Sequence, residues 1–84
     1  MTQVAPGPTN MYVQAGAFSQ FENAHRLQAQ LTPIGDAEVS SIFVGDTQMF
    51  RVRLGPISDL DAADRLLERV IKAGYKDSQL IVAE

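Results

Sequence analysis

The sequence has no cysteine, no long apolar run and few basic residues. Without cysteine, the 84-residue chain can form neither a disulfide framework nor a cysteine-based metal site. No apolar run approaches the roughly 18 residues that a membrane-spanning helix needs, and the first residues lack the basic and apolar regions of a signal peptide. The net charge of −3 argues against a ligand held mainly through its phosphates.

Length and composition predict one small domain. With 45% apolar residues the chain can build a single core, and a chain of this size buries roughly 60–65% of its unfolded surface. Residues 1–10 hold two of the four prolines and no periodic apolar pattern, which is typical of a linker. We therefore expect a linker remnant over 1–10, a folded domain over 11–84, and an origin at the end of a longer protein.

The two halves of the folded region resemble each other at an offset of 39 residues. The matches fall at glycines and serines as well as at apolar positions, which favours an internal duplication and a pseudo-symmetric fold. The clearest matches are Val13 with Val52, Gly16 with Gly55, Ser19 with Ser58, and Ala24 with Ala63.

Each half predicts a strand, a helix and a second strand. Alternating residues in MYVQAG (11–16) and FRVRLG (50–55) indicate strands, helical spacing follows each, and EVSSIFV (38–44) and SQLIVA (78–83) close the halves. The order βαββαβ predicts an α+β, ferredoxin-like (RNP-like) fold, with a four-stranded antiparallel sheet and two helices on one face. We expect capping boxes to begin the helices, with Ser19 and Ser58 as N-caps.

Strand alternation predicts which side chains lie on the uncovered face of the sheet. Such a face is usually an ordinary solvated surface. Here, however, planar amide and guanidinium groups stand beside an aromatic ring, and this combination suits sugar hydroxyls and ring faces. The residues expected to point outward are Tyr12, Gln14 and Gly16 in the first strand and Met49, Arg51 and Arg53 in the third.

The motif V-Q-x-G-x-F (13–18), followed by N-A (23–24) and R-V-x-x-G-P (51–56), carries a family resemblance. These motifs and the spacing between them resemble the SPOR domain family. The resemblance covers most of residues 11–83. Within that family the chain resembles the rare lipoprotein A subfamily more than other members. In that subfamily the domain is the C-terminal module of a septal lytic transglycosylase.

The resemblance implies a function and a location. It implies binding to denuded peptidoglycan glycan strands, which amidases produce at the division septum, and hence a periplasmic or cell-envelope location. The family's strand-one glutamine falls on Gln14 and its frequent exposed aromatic on Met49. Ala17 stands where some members have serine. We expect a monomer that needs no cofactor or metal and makes no membrane contact of its own.

Removal of a stem peptide frees the lactyl carboxylate of N-acetylmuramic acid. We expect Arg51 or Arg53 to pair with that carboxylate, because arginine offers a planar fork for this geometry. Ser19 and Asn23, expected in the first turn of the first helix, could receive a second acidic or acetamido group. Thr47 could supply a hydroxyl at the edge of the groove.

Other functions remain open from the residues alone. An enzyme is disfavoured, because the single histidine, His25, has no cysteine partner and no metal-ligand spacing; any glycan cleavage by the parent protein would lie outside this chain. RNA-recognition modules share the strand order and the open face, but their K/R-G-F/Y-G/A-F-V-x-F/Y signature is missing and the chain is acidic, so we expect no nucleic-acid partner. A protein-binding sheet edge is the third alternative.

Overall fold

The computed structural model describes residues 10–83 and has the element order βαββαβ. The strands form one antiparallel sheet in the order β2-β3-β1-β4, and both helices pack on the same face of it. This confirms the predicted fold class, while residues 1–9 of the predicted linker lie outside the described residues. The elements are β1 (Asn10–Phe18), α1 (Phe21–Leu31), β2 (Ala37–Val44), β3 (Thr47–Ile57), α2 (Leu60–Lys72) and β4 (Gln79–Ala83).

The core lies between the sheet and the two helices. Its repeat-equivalent positions are buried alike: Val13 and Val52 are fully buried in the central strands, and Ala24 and Ala63 are fully buried in the helices. Alanine lets a helix approach the sheet closely, and β-branched valine suits a buried strand. Exchanging the halves also maps the strand order onto itself, as the duplication predicts. The largest fully buried side chains are Leu31, Leu54, Val13, Val52 and Val70.

A β-bulge interrupts the pairing of the two central strands. Gln14 lies opposite Arg53, but the next aligned pair is Gly16 with Val52, so Ala15 has no residue opposite it. An extra residue in one strand reverses the alternation of side chains beyond it. The last residues of β1 therefore point to the opposite faces from those that simple alternation predicts.

Gly16 faces the helices, and the expectation that it lies on the uncovered face is wrong. A Cβ added at this position would lie 3.1 Å from Leu27 Cδ2, on the helix side of the sheet. Because of the bulge, Ala17 takes the outward position, opposite Arg51. The missing side chain at Gly16 thus gives α1 room to pack and does not give a ligand room to approach.

A second bulge lies in β3. Met11 pairs with Ile57 while Val13 pairs with Leu54, so β3 carries one residue more than β1 over this stretch. Gly55 lies in the bulge with φ +135°, a backbone conformation that favours glycine. Each half of the duplication therefore has its equivalent glycine at a bulge.

Both helices begin one residue later than the capping-box prediction. Gln20 is the N-cap of α1 and makes no side-chain cap bond, while Asp59 is the N-cap of α2 and accepts a hydrogen bond from the Ala62 amide at 3.2 Å. Ser19 and Ser58 precede the N-cap positions, so their hydroxyls do not cap. At α2 the carboxylate also has the favourable charge for a helix N-terminus.

Candidate functional site

The face of the sheet away from the helices, here called the open face, is uncovered by any other element of the described residues. Directly opposed residues of an antiparallel sheet share a face. Gln14 is opposite Arg53, and Ala17 is opposite Arg51, so these predicted site residues lie together. Tyr12 and Met49 join them; the rest of the face comes from Glu38, Ser40 and Ile42 of β2 and Gln79 and Ile81 of β4, which pair with open-face residues.

Tyr12 and Arg53 are in direct contact. The guanidinium carbon of Arg53 lies 4.0 Å from the centroid of the Tyr12 ring, within the range of a cation–π interaction. Both side chains are half-buried, although no other element of residues 10–83 covers this face. The contact holds the guanidinium in place on the ring and forms a stacked pair of planar groups beside Gln14.

Arg51 is a partly desolvated charge on the open face. Burial first, and the neighbouring positive charge of Arg53 second, lower the pKa of the Arg51 guanidinium. Arginine nevertheless stays protonated at neutral pH. Arg51 and Arg53 are two neighbouring positive charges, and Arg51 is partly desolvated. The domain as a whole is acidic, but this part of its surface attracts an anion.

Sequence reasoning missed Ser40. It lies on β2 directly opposite Arg51, with Glu38 opposite Arg53 in the same register. Its Oγ and the Nε of Arg51 are both buried, and neither has a hydrogen-bond partner within residues 10–83. Alternation along EVSSIFV could have shown that Ser40 points outward. The register of β2 against β3, which brings Ser40 opposite Arg51, depends on both strands and cannot be found from β2 alone.

A small crevice opens on the same face. It has a volume of about 30 Å³, which is too small for a sugar ring. The stacked pair of Tyr12 and Arg53 forms one part of its lining. Glu38 and Ser40 of β2, together with Gly55, form the rest. A ligand on the open face can therefore reach down to Ser40 with a small polar group only.

A larger cleft adjoins the open face where β4 begins. Gln79, the first residue of β4, lies opposite Gln14, whereas β1 continues to Phe18 without β4 beside it. The resulting cleft has a volume of about 370 Å³. Gln14, Gln79 and Asp77 supply amide and carboxylate groups to its wall, and residues 15–18 supply the strand.

Asn23 lies elsewhere. It lines a cleft of about 310 Å³ on the helix side, with Arg26, Gln30 and Tyr75 among its neighbours. The Tyr75 hydroxyl donates to Gln30 Oε1 at 2.9 Å across this cleft. The structure therefore separates Asn23 from the residues of the open face.

Two further predicted site residues lie at the margins. Ser19 is exposed in the link between β1 and α1, before the helix begins. Thr47 is exposed at the first position of β3, opposite Val44, and shares the side of Met49 by alternation. Thr47 thus stands at the rim of the open face, while Ser19 lies beyond the end of β1.

Within residues 10–83 there is no group of three or more His, Cys, Asp or Glu side chains that could hold a metal ion. His25 is exposed and stacks on Phe21 with ring centroids 5.8 Å apart. None of the described helices is long and apolar enough to span a membrane.

The chain is similar to a known family and to solved structures. A family model of the SPOR domain matches residues 7–81. The crystal structure of the RlpA SPOR domain from Pseudomonas aeruginosa is similar, with 30% identity, a TM-score of 0.77, and coverage of 84% of this chain and 96% of that one. The solution structure of the peptidoglycan binding domain of the B. subtilis cell wall lytic enzyme CwlC is 29% identical, with a TM-score of 0.75 and coverage of 98% and 99%. No curated protein sequence matches the chain.

Proposed function

The chain belongs to the SPOR domain family, and we propose that it is a non-catalytic module that binds peptidoglycan through the open face. The similar domain of CwlC is a peptidoglycan binding domain, and its likeness extends over nearly the whole of both chains. Tyr12, Gln14 and Arg53 supply a ring, an amide and a guanidinium side by side, which suits a polymer of sugar rings and acetamido groups. The chemistry of any lytic parent enzyme belongs to another part of that protein.

The finer proposal is that the ligand is a denuded glycan strand. The observation that carries it is the pair of cations, Arg51 and Arg53, on the surface of a domain whose net charge is −3. A strand without stem peptides exposes one lactyl carboxylate per N-acetylmuramic acid, and arginine binds carboxylates through two parallel hydrogen bonds. Binding relieves the repulsion between the two guanidinium groups.

Selectivity follows from the same groups. A stem peptide converts the lactyl carboxylate into an amide, which removes the charge that Arg51 attracts. It also adds a bulky chain above a sheet whose open face has only a small crevice beside its cations. A domain with these properties would direct its parent protein to the cell-envelope region where amidases strip the stem peptides, the division septum. We propose that it does so as a monomer, without contacting the membrane.

The test is sedimentation of the purified domain with whole peptidoglycan sacculi, untreated or treated with an amidase. We expect binding to rise after amidase treatment and to fall in Arg51→Ala. Arg65→Ala is the matched control, because Arg65 is exposed on α2 and its loss changes the net charge equally. Equal binding to both preparations would overturn the denuded-strand proposal but retain peptidoglycan binding.

RNA binding is the second candidate, because Tyr12 and two arginines share an open sheet face. It predicts an affinity for single-stranded RNA that falls steeply as salt rises. Titration of the domain with an RNA oligonucleotide at two salt concentrations distinguishes RNA binding from peptidoglycan binding. If the domain binds RNA in a salt-sensitive way and does not bind sacculi, RNA binding is favoured as its function.

A further inference from the structure

Ser40 and Arg51 present an unusual pair of polar atoms. Ser40 Oγ and Arg51 Nε are buried, and neither has a hydrogen-bond partner within residues 10–83. Buried polar groups in proteins are nearly always paired, because an unpaired one loses its hydration without compensation. The two residues are direct cross-strand partners, so both unpaired atoms belong to one locality on the open face.

The two atoms have compatible chemistry. The Nε–H of arginine can only donate, and the serine hydroxyl donates or accepts. A group that satisfies both as donors must offer at least two acceptor positions, and a carboxylate does so. The surrounding charges favour an anion: Arg51 and Arg53 supply two positive charges, and Glu38, opposite Arg53, supplies one negative charge.

Both atoms are buried although they belong to the open face. No other element of residues 10–83 lies over that face, and the flanking residues on the same strand, Met49 and Arg53, carry long side chains. The crevice of about 30 Å³ between Tyr12 and Arg53 extends to Ser40, although it admits only a small group. A ligand that binds both donors therefore requires the side chains around the pair to rotate.

We propose that Ser40 and Arg51 form one carboxylate-recognition site, in which the ligand carboxylate accepts hydrogen bonds from Arg51 Nε–H and Ser40 Oγ–H. This rests on the proposed function, and the carboxylate is then the lactyl group of N-acetylmuramic acid without its stem peptide. Ser40 adds a second hydrogen-bond donor to the site. An amide in the same place carries no charge, so it loses the charge-assisted hydrogen bond from Arg51.

The first test compares Ser40→Ala with Ser41→Ala. The adjacent Ser41 is the matched control, because it is exposed and lies opposite Phe50, on the other face of the same strand. Titration against amidase-treated sacculi should show about tenfold weaker binding for Ser40→Ala, as expected for the loss of one hydrogen bond to a charged group. Ser41→Ala should bind like the wild type. Arg51→Lys, which keeps the charge but has no Nε–H, should weaken binding at least as much as Ser40→Ala.

The second test separates charge from bulk. Carbodiimide coupling with ammonia converts the free carboxylates of amidase-treated sacculi into small amides without restoring the stem peptide. The wild-type affinity should fall, because the amidated strands carry no charge for Arg51 to bind. A wild type that binds the amidated strands as well as the untreated denuded strands would overturn the carboxylate assignment.

Thermal unfolding checks that Ser40 has no structural role. Since its hydroxyl is unpaired within the domain, Ser40→Ala should leave the Tm unchanged or raise it, and a lower Tm would count against the site. Equal denuded-strand affinity of Ser40→Ala and wild type would overturn this inference and leave the proposed function intact. Failure of the wild type to bind either sacculus preparation would overturn both.

Discussion

Gln14 and Arg53 lie directly opposite each other on β1 and β3, and they are also equivalent positions of the two sequence repeats. The pseudo-twofold axis that relates the halves therefore passes between them. An axis at this point places two chemically different repeat-equivalent side chains at the centre of the open face. One repeat supplies a neutral amide there, and the other supplies a cation.

Gln14→Ala should weaken peptidoglycan binding about tenfold, the factor expected for the loss of one or two well-placed hydrogen bonds. Gln48→Ala is the control, because Gln48 is an exposed glutamine of β3 that pairs with Phe43 and lies away from the open face. Sacculus binding of the two variants measures the effect. Equal loss in both would show that the open face has no special part in binding.

The contact between Arg53 and Tyr12 should contribute about 0.5–1 kcal/mol to the free energy of unfolding. A double-mutant cycle with Arg53→Met and Tyr12→Leu, followed by urea denaturation, isolates that coupling. Arg53→Met retains much of the side chain's length while removing its charge and planar group. A coupling energy indistinguishable from zero would mean that the stacked geometry does not persist in solution.

Arg51→Met should stabilise the domain while it weakens ligand binding. Burial and Arg53 lower the pKa of Arg51, so the folded state disfavours the charged form that arginine has at neutral pH in both states. The shift therefore subtracts from stability, and removing the charge together with its unpaired Nε should raise the free energy of unfolding. Denaturant unfolding at pH 7 measures the change. A clear loss of stability would contradict the pKa assignment.

Asp59→Ala should lower the free energy of unfolding by about 1 kcal/mol, because it removes the N-cap hydrogen bond of α2. The neighbouring Ser58→Ala should change it by less than about 0.5 kcal/mol, since Ser58 does not cap. Ser19→Ala should be equally mild at the start of α1. Thermal or urea unfolding of the three variants ranks them, and a larger cost for Ser58 than for Asp59 would restore the capping-box prediction.

Gly55→Ala should destabilise the fold by about 2–3 kcal/mol. The residue has φ +135°, and a Cβ would lie 2.8 Å from the carbonyl oxygen of Met11, so both backbone strain and a clash oppose the change. Gly45→Ala is the control: φ is +63° there, but nothing lies within 4 Å of an added Cβ. It should cost only about 1 kcal/mol, as a left-handed residue without a clash. Urea denaturation of both variants tests the difference.

Most of the architecture was predictable, because periodicity and the internal repeat both report on burial. Alternation correctly gave the outward side of Tyr12, Gln14, Arg51 and Arg53. It failed at Gly16, because a bulge depends on how β1 pairs with another strand. The sequence of β1 alone shows no change of periodicity at the bulge. Capping failed for a local reason: several polar residues precede each helix, and backbone geometry decides which of them becomes the N-cap.

The position of Ser40 depended on information of another kind. Its outward direction follows from alternation within β2, but its partner depends on the register that the Gly45–Asp46 turn sets between β2 and β3. The unpaired state of Ser40 and Arg51 depends further on side-chain positions in three dimensions. Sequence reasoning could therefore find the arginine but not the hydroxyl opposite it.

The axis between Gln14 and Arg53 has a consequence for a polymeric ligand. A glycan chain has distinct reducing and non-reducing ends, whereas a perfectly twofold surface would accept it equally in either polarity. Because the equivalent positions differ in charge, and the cleft of Asp77 and Gln79 flanks only one edge of the sheet, rotation by half a turn does not reproduce the surface. The duplicated fold can thus distinguish the two directions of a chain laid across it.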